Sequence, residues 1–372
     1  MAKRPRARLG TRLFVALLLL LAMGTLYGGV AVSLRWVTQA DLDVATSERQ
    51  GAAYAGPVGQ LIGELVAARS AAVRGAPVDA ASLVAAVAAV SDVDRTSGEA
   101  LHTRQRWTDL HTKIDLIVSQ APTGQAALVG YTDLVALATD LCRRVADASA
   151  LTLDPDLDAH YLVDAATQQV PAVLAAAGLA ADRAQLARAA DPDPAGTLVD
   201  IAVGRQQAAA ATEAAASGIR TALEATARGE LAPHLTAPLD AFRAAVAELV
   251  PPTTLRPATT PADADVLAAA VAKLRQAGRP LLAALVGELD ALLITRQDAL
   301  AERGRLAAGA AVAGVVLGGV LLTVSILARV RARGDAALDV VSLATGLPEV
   351  DARDLLTLED AAHAARRVDH AR

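Results

Sequence analysis

Hydrophobic and polar positions along this chain fall into two regimes. From Leu13 to Leu34, and again from Leu306 to Ala328, apolar residues run on without a charge. At about 1.5 Å per residue each run is long enough, as a helix, to cross a hydrocarbon core about 30 Å thick. Between them apolar positions recur at helical spacing, as in Leu61, Leu65 and Ala68, or Leu101, Trp107, Leu110, Ile114 and Ile117. Each such segment has one face to bury. No run of valine, isoleucine or aromatic residues bounded by turns suggests a strand. The pattern predicts an all-α protein, with an elongated antiparallel helical bundle outside the membrane, two transmembrane helices and a short helical cytoplasmic tail.

Breaker clusters divide the region between the spans. They are R-G-A-P-V near Gly75, A-P-T-G at 121 to 124, D-P at 154 and 155, D-P-D-P-A-G at 191 to 196, Gly229 to Pro238, and the proline- and threonine-rich stretch 251 to 260. About seven helical segments are expected from these breaks. The first continues out of the membrane helix to Arg74, with a kink or short interruption at Pro57. The last starts at Pro261 and runs into the second span.

Topology follows from charge. Lys3, Arg4, Arg6, Arg8 and Arg12 precede the first span, and Arg329, Arg331 and Arg333 follow the second. The positive-inside rule places both flanks in the cytoplasm, although Arg303 and Arg305 reduce the contrast. A cleavable signal peptide would need a small-residue cleavage site after the first run, and no convincing one follows. The expected layout is a basic leader at 1–12, a span at 13–34, an extracytoplasmic helical bundle at 35–305, a span at 306–328 and a cytoplasmic tail at 329–372. The protein is then a two-pass protein of the inner (plasma) membrane with both termini cytoplasmic. Tyr27 and Trp36 are suited to anchoring the outer end of the first span.

Composition refines this picture. The 372 residues are 53% hydrophobic but only 2% aromatic, with a net charge of -5. That balance argues against disorder and against nucleic acid as a partner. Cys142, the only cysteine, permits no intrachain disulfide and reads as a small buried hydrophobe.

One polar cluster stands out, D-A-S-A-L-T-L-D-P-D-L-D-A-H-Y-L-V-D-A at 147 to 165. Alternating Asp154, Asp156 and Asp158 invite comparison with a calcium loop. Such a loop needs glycine at its sixth position and glutamate at its twelfth, where this chain has Ala159 and Ala165. A helix start explains the spacing better. Asp154 would cap it, Pro155 would occupy its first turn, and Asp156 and Asp158 would complement the positive end of its dipole. Beyond it, Leu157 and Tyr161 share one face and His160 and Asp164 another. Pro171 should kink or divide the helix.

The segment from Asp147 to Pro171 resembles the D-x-S-x-L-x-L-D-P-D-x-D-x-Y-Y-L-x-D...P signature in extracytoplasmic regions of bacterial methyl-accepting chemotaxis receptors and related transmembrane signalling proteins. Its matching positions are Asp147, Ser149, Leu153, Asp154, Pro155, Asp156, Asp158, Tyr161, Asp164 and Pro171. Three further stretches carry the likeness: E-R-Q-G-A-A-Y-A-G-P-V from Glu48, L-H-T-R-Q-R-W-T-D-L from Leu101, and E-L-D-A-L-L-I-T-R from Glu288. His160 stands where the signature usually has tyrosine. The resemblance, over roughly residues 10 to 330, implies a homodimeric helical sensor that passes a conformational signal across the lipid bilayer. It also implies a small-molecule or periplasmic-protein ligand and a cytoplasmic signalling partner.

No G-x-S-x-G, H-E-x-x-H, C-x-x-C or phosphate-binding glycine loop occurs, so neither an enzyme nor a cofactor is expected. His102 and His111 lie too far apart on a helix to share one metal. Residues 329 to 372 hold no methylation hairpin, cyclase motif or histidine phosphorylation box, and His363 lacks the neighbours of such a box. Asp335 to Thr345 and Asp354 to Val368 are short amphipathic stretches similar in layout to a degenerate HAMP linker. Two readings follow: a sensor of an external stimulus, or a membrane-anchored structural or regulatory partner of intact receptors with no ligand of its own.

Overall fold

The computed structural model describes residues 6–153, 156–188, 193–226, 231–249 and 261–344. Among these the secondary structure is helical throughout, without a strand. The helices are α1 (Arg6–Val73), α2 (Ala80–Ser97), α3 (Arg104–Gln120), α4 (Gly124–Ala148), α5 (Leu157–Asp164), α6 (Val170–Leu186), α7 (Pro194–Ala225), α8 (Leu231–Leu249) and α9 (Pro261–Ala344). A 3₁₀ turn spans Leu151–Leu153 and a π turn Ala165–Gln169.

The chain divides into two units. One comprises Met1–Arg35 with Leu306–Arg372, the other Trp36–Arg305. In the first, apolar side chains are exposed along α9, including Val312, Val315 and Leu317. Most side chains between Leu13 and Leu34 lie outside the described residues, although their backbone is helical within α1. Two helical stretches among the described residues are long and apolar enough to cross a membrane, Leu157–Leu186 and Asp263–Ala328. They differ in what covers them. Most of the first is buried against other helices, whereas the most apolar window of the second is exposed along its whole length. Burial accounts for the first as a core helix, since a helix apolar all round is suited to a protein interior as well as to lipid.

The larger unit has two principal cores. Leu61, Leu65, Val90, Leu110, Leu134 and Leu141 belong to one, built on α1, α2, α3 and α4. Leu162, Val173, Ile219, Phe242, Leu274 and Leu285 belong to the other, built on α5 to α9. Alanine keeps the second core close-packed. Beside Gly204 of α7 an added Cβ would lie only 3.2 Å from the Ala176 carbonyl of α6. Small residues at such crossings let two backbones approach. A third, small cluster of Ala52, Ala146, Leu151, Ala159, Val163, Leu289 and Leu293 draws on α1, α4, α5 and α9.

Several element boundaries differ from those expected. Pro57 does not interrupt α1, which stays helical through it. The Gly229 to Pro238 break is shorter than its composition suggests, because α8 begins at Leu231 and contains Pro238. The stretch from Pro77 to Gln120, expected as one segment, is two helices joined by a turn over 98–103. The buried Asp94 carboxylate fixes this turn, accepting from the Thr103 hydroxyl at 3.0 Å and the Tyr54 hydroxyl at 2.8 Å. No proline marks it, so only Gly98 hinted at a break. Thr345 and the stretch 354–368 lie outside the described residues, as do Asp154, Pro155 and His363.

Pro171 does alter its helix, by a physical route visible in the hydrogen bonds. The Val170 N–H reaches back to the Ala165 carbonyl, five residues away. Proline has no N–H to give, and its ring crowds the carbonyl four residues earlier, that of Thr167. Widening the preceding turn to a π bulge accommodates both.

Candidate functional site

The helix after the aspartate cluster starts later than its sequence suggests. Its first residue is Leu157, and Asp156 occupies the cap position without a side-chain cap hydrogen bond. The expected cap residue Asp154 and its neighbour Pro155 lie outside the described residues. Asp156 instead pairs with Arg296 of α9 at 2.9 Å. A long-range cation competes successfully for a carboxylate that would otherwise bind nearby backbone. Asp158, in the first turn, accepts the Ala159 N–H at 2.9 Å.

The other motif residues divide by burial. Ser149 is fully buried, and its hydroxyl donates to the Val145 carbonyl at 2.7 Å, which ties off the end of α4. Ala150 then takes a left-handed φ of 63°. The 3₁₀ turn that follows buries Leu151 and leaves Leu153 exposed. Asp147 is exposed at the end of α4. Tyr161 packs against Gly218 of α7, where an added Cβ would stand 3.2 Å from its ring. Asp164 accepts from Gln169 at 3.1 Å rather than pairing with the exposed His160. Pro171 is buried in α6.

Three stretches singled out in the sequence meet at this turn. From α1, Gly51 lies so close that a Cβ would strike the Ser149 side chain and approach Leu151 Cδ1 to 2.8 Å. From α9, Leu289 and Leu293 join Leu151 in the small cluster. Arg296 bridges Asp156 and Glu48 of α1, the latter at 3.2 Å. Glu48 is almost wholly buried whereas Asp156 is largely exposed, so the bridge runs from surface to interior. Beside it Arg49 pairs with Asp290 at 2.9 Å and donates to Gln297 at 3.1 Å. Glu64, farther along α1, pairs with Arg275 at 3.9 Å and with Arg279. The fourth stretch, from Leu101, takes no part here and serves the first core through Trp107 and Leu110.

A cavity lies elsewhere in the larger unit, among the end of α1, α2, α3 and the start of α4. Its volume is about 650 Å³, within the range of roughly 300 to 1,000 Å³ typical of small-molecule pockets. Leu83, Val87, Ile114 and Val118 line it, with His111, Asp115 and Tyr131 as its polar groups beside Thr123. His111 stacks on Trp107 with ring centres 5.3 Å apart, and its Nε2 is 3.8 Å from Asp115. Tyr131 is 2% exposed and makes no hydrogen bond to a described residue. Burial pushes its hydroxyl pKa up. Sequence patterning could not have found this pocket, since its walls come from four helices and two turns.

Comparison with protein-family models, curated proteins and solved structures found no match to this chain.

Two further polar sites are internal. Arg69 of α1 donates to Asp182 of α6 at 2.7 Å, to Thr132 at 3.3 Å and to the Ala175 carbonyl at 3.4 Å. Asp182 Oδ1 has no hydrogen bond among the described residues. Loss of water outweighs the Arg69 charge, so the Asp182 pKa is raised. Burial likewise pushes the Cys142 thiol up to about 12, so its nucleophilic thiolate is scarce at neutral pH. Among the described residues no three His, Cys, Asp or Glu side chains gather as a metal site.

Proposed function

We propose that this chain is a two-pass receptor-like protein of the plasma membrane, in which an extracytoplasmic helical bundle senses a stimulus and passes a conformational change across the bilayer. The observation that supports this most is the convergence on one turn of α1 and α9, the two helices whose sequences include the apolar spans. Arg296 holds that turn to both through Asp156 and Glu48. A displacement of α5 or α6 is thereby felt by both helices, and interfaces of this kind repack between discrete arrangements. The motif resemblance agrees with the reading and adds a homodimer and a cytoplasmic signalling partner.

Orientation and assembly are tested together. Protease added outside intact cells should cut within 75–260 and spare 329–372. Single cysteines from Gly309 to Ser325, in a Cys142→Ala background, should crosslink in membranes with helical periodicity. Arg296→Ala should change that pattern without unfolding the chain. An externally exposed tail would reverse the topology. Absence of crosslinks together with a monomeric mass in mild detergent would remove the dimer and favour the anchor reading.

A further inference from the structure

We propose that the cavity among α1, α2, α3 and α4 binds a small, flat or branched apolar molecule that is neutral or cationic and offers one hydrogen-bonding group to Tyr131. This names the ligand class of the sensor proposed above and rests on that reading for its consequence across the membrane, though not for binding itself.

The walls decide the class. Val78, Leu83, Val87, Ile114 and Val118 surround the space with branched aliphatic groups, which reward apolar surface and bind no charge. Among the described residues of the lining there is no lysine or arginine, and the one histidine, His111, already faces Asp115 at 3.8 Å. An organic anion would leave water for a place whose one basic ring is already set against a carboxylate, an unfavourable exchange. An amine would find Asp115 at the rim, where that side chain is 73% exposed. The second, independent sign is Tyr131. Its ring is buried in the cavity wall, and its hydroxyl, which bonds to no described residue and is not among the sealed-off buried atoms, is open to a partner. A ligand with a donor or acceptor would supply it. Two turns contribute to the wall, with Gly75 at φ 67° and Ala121 at φ 44°, beside Pro77 and Pro122.

Three probes share one ring and differ in charge: indole, tryptamine and indole-3-acetate. Titrated calorimetrically into the full chain in phosphatidylcholine nanodiscs, indole and tryptamine should bind, and indole-3-acetate should bind weaker by roughly tenfold or more. Tyr131→Phe should weaken indole severalfold while leaving the melting temperature of the unliganded protein in place. Val84, which lines the cavity, is 66% exposed, so Val84→Trp can block the space with little cost to the fold and should abolish binding. Equal binding of all three probes, binding that survives Val84→Trp, or no binding at millimolar probe would each overturn the proposal. The crosslinking pattern between Gly309 and Ser325 separates the two claims. Binding without a change in that pattern would leave the site standing and count against the sensor, and a pattern that responds to another stimulus while indole fails to bind would do the reverse.

Discussion

Burying Arg69 beside Asp182 withdraws two charges from water, a cost that their attraction offsets in part and only while both are present. Arg69→Ala or Asp182→Ala should each destabilise the protein by about 3 to 5 kcal/mol, whereas Arg69→Met with Asp182→Leu should recover most of the loss. Chemical denaturation of the three variants checks this. The pH dependence has a definite sign. The Asp182 pKa is raised in the folded state, so its contribution is complete below the ordinary carboxylate value of about 4 and declines as pH rises through the folded value. The stability of the wild type relative to the double variant should fall over that window. Asp79 behaves oppositely. The Ser82 backbone N–H, with the Ser82 hydroxyl, holds its pKa down, so its cap is fully effective above the ordinary value and fails as pH falls through the folded one. Asp79→Ala should lower the melting temperature at neutral pH and have no effect in strong acid.

At the scale of helices, glycines distinguish packed faces from open ones. In α1, Gly63 has nothing within 4 Å of an added Cβ, whereas Gly51 meets Ser149 and Leu151. Gly63→Ala should therefore stabilise by about 0.5 to 1 kcal/mol through helix propensity alone. Gly51→Ala should instead cost about 1 to 3 kcal/mol, because α1 must move off the motif turn. Opposite shifts in melting temperature for two alanines on the same helix would verify the contact. Amphipathic stripes such as Leu61, Leu65 and Ala68 were legible from spacing, and the Gly75 and 121–124 turns from their residues. The turn over 98–103 was not, because the Asp94, Tyr54 and Thr103 contacts that stabilise it span α1, α2 and the turn itself. Likewise the local aspartate pattern suggested a cap at Asp154, without reference to Arg296, which lies 140 residues away from Asp156.

For the larger unit as a whole, the two principal cores give an expectation about cooperativity. Leu151, Leu289 and Leu293 join elements of both through a small cluster. Leu289→Ala should cost about 2 to 5 kcal/mol as a buried truncation. Weakening this cluster should also let the cores unfold separately, so that calorimetry of the full chain in detergent shows two helical melting transitions where the wild type shows one. A single transition in the variant would mean that α6, which also packs Ala175 and Leu179 on the first core, is enough to couple them.

Sequence by itself determined the helical class and the turns at Gly75 and 121–124, because periodicity, proline and glycine act within a few residues of themselves. It also marked Leu13–Leu34 and Leu306–Ala328 as apolar runs suited to a bilayer. Only the tertiary structure decided that the described residues form two principal cores, that Arg296 joins Asp156 to Glu48, and that a cavity lined by Tyr131 lies among α1 to α4. Each of these depends on which helix faces which, a matter of register between segments far apart in the chain. Local spacing fixes the face a helix must bury, but it leaves open which face will cover it.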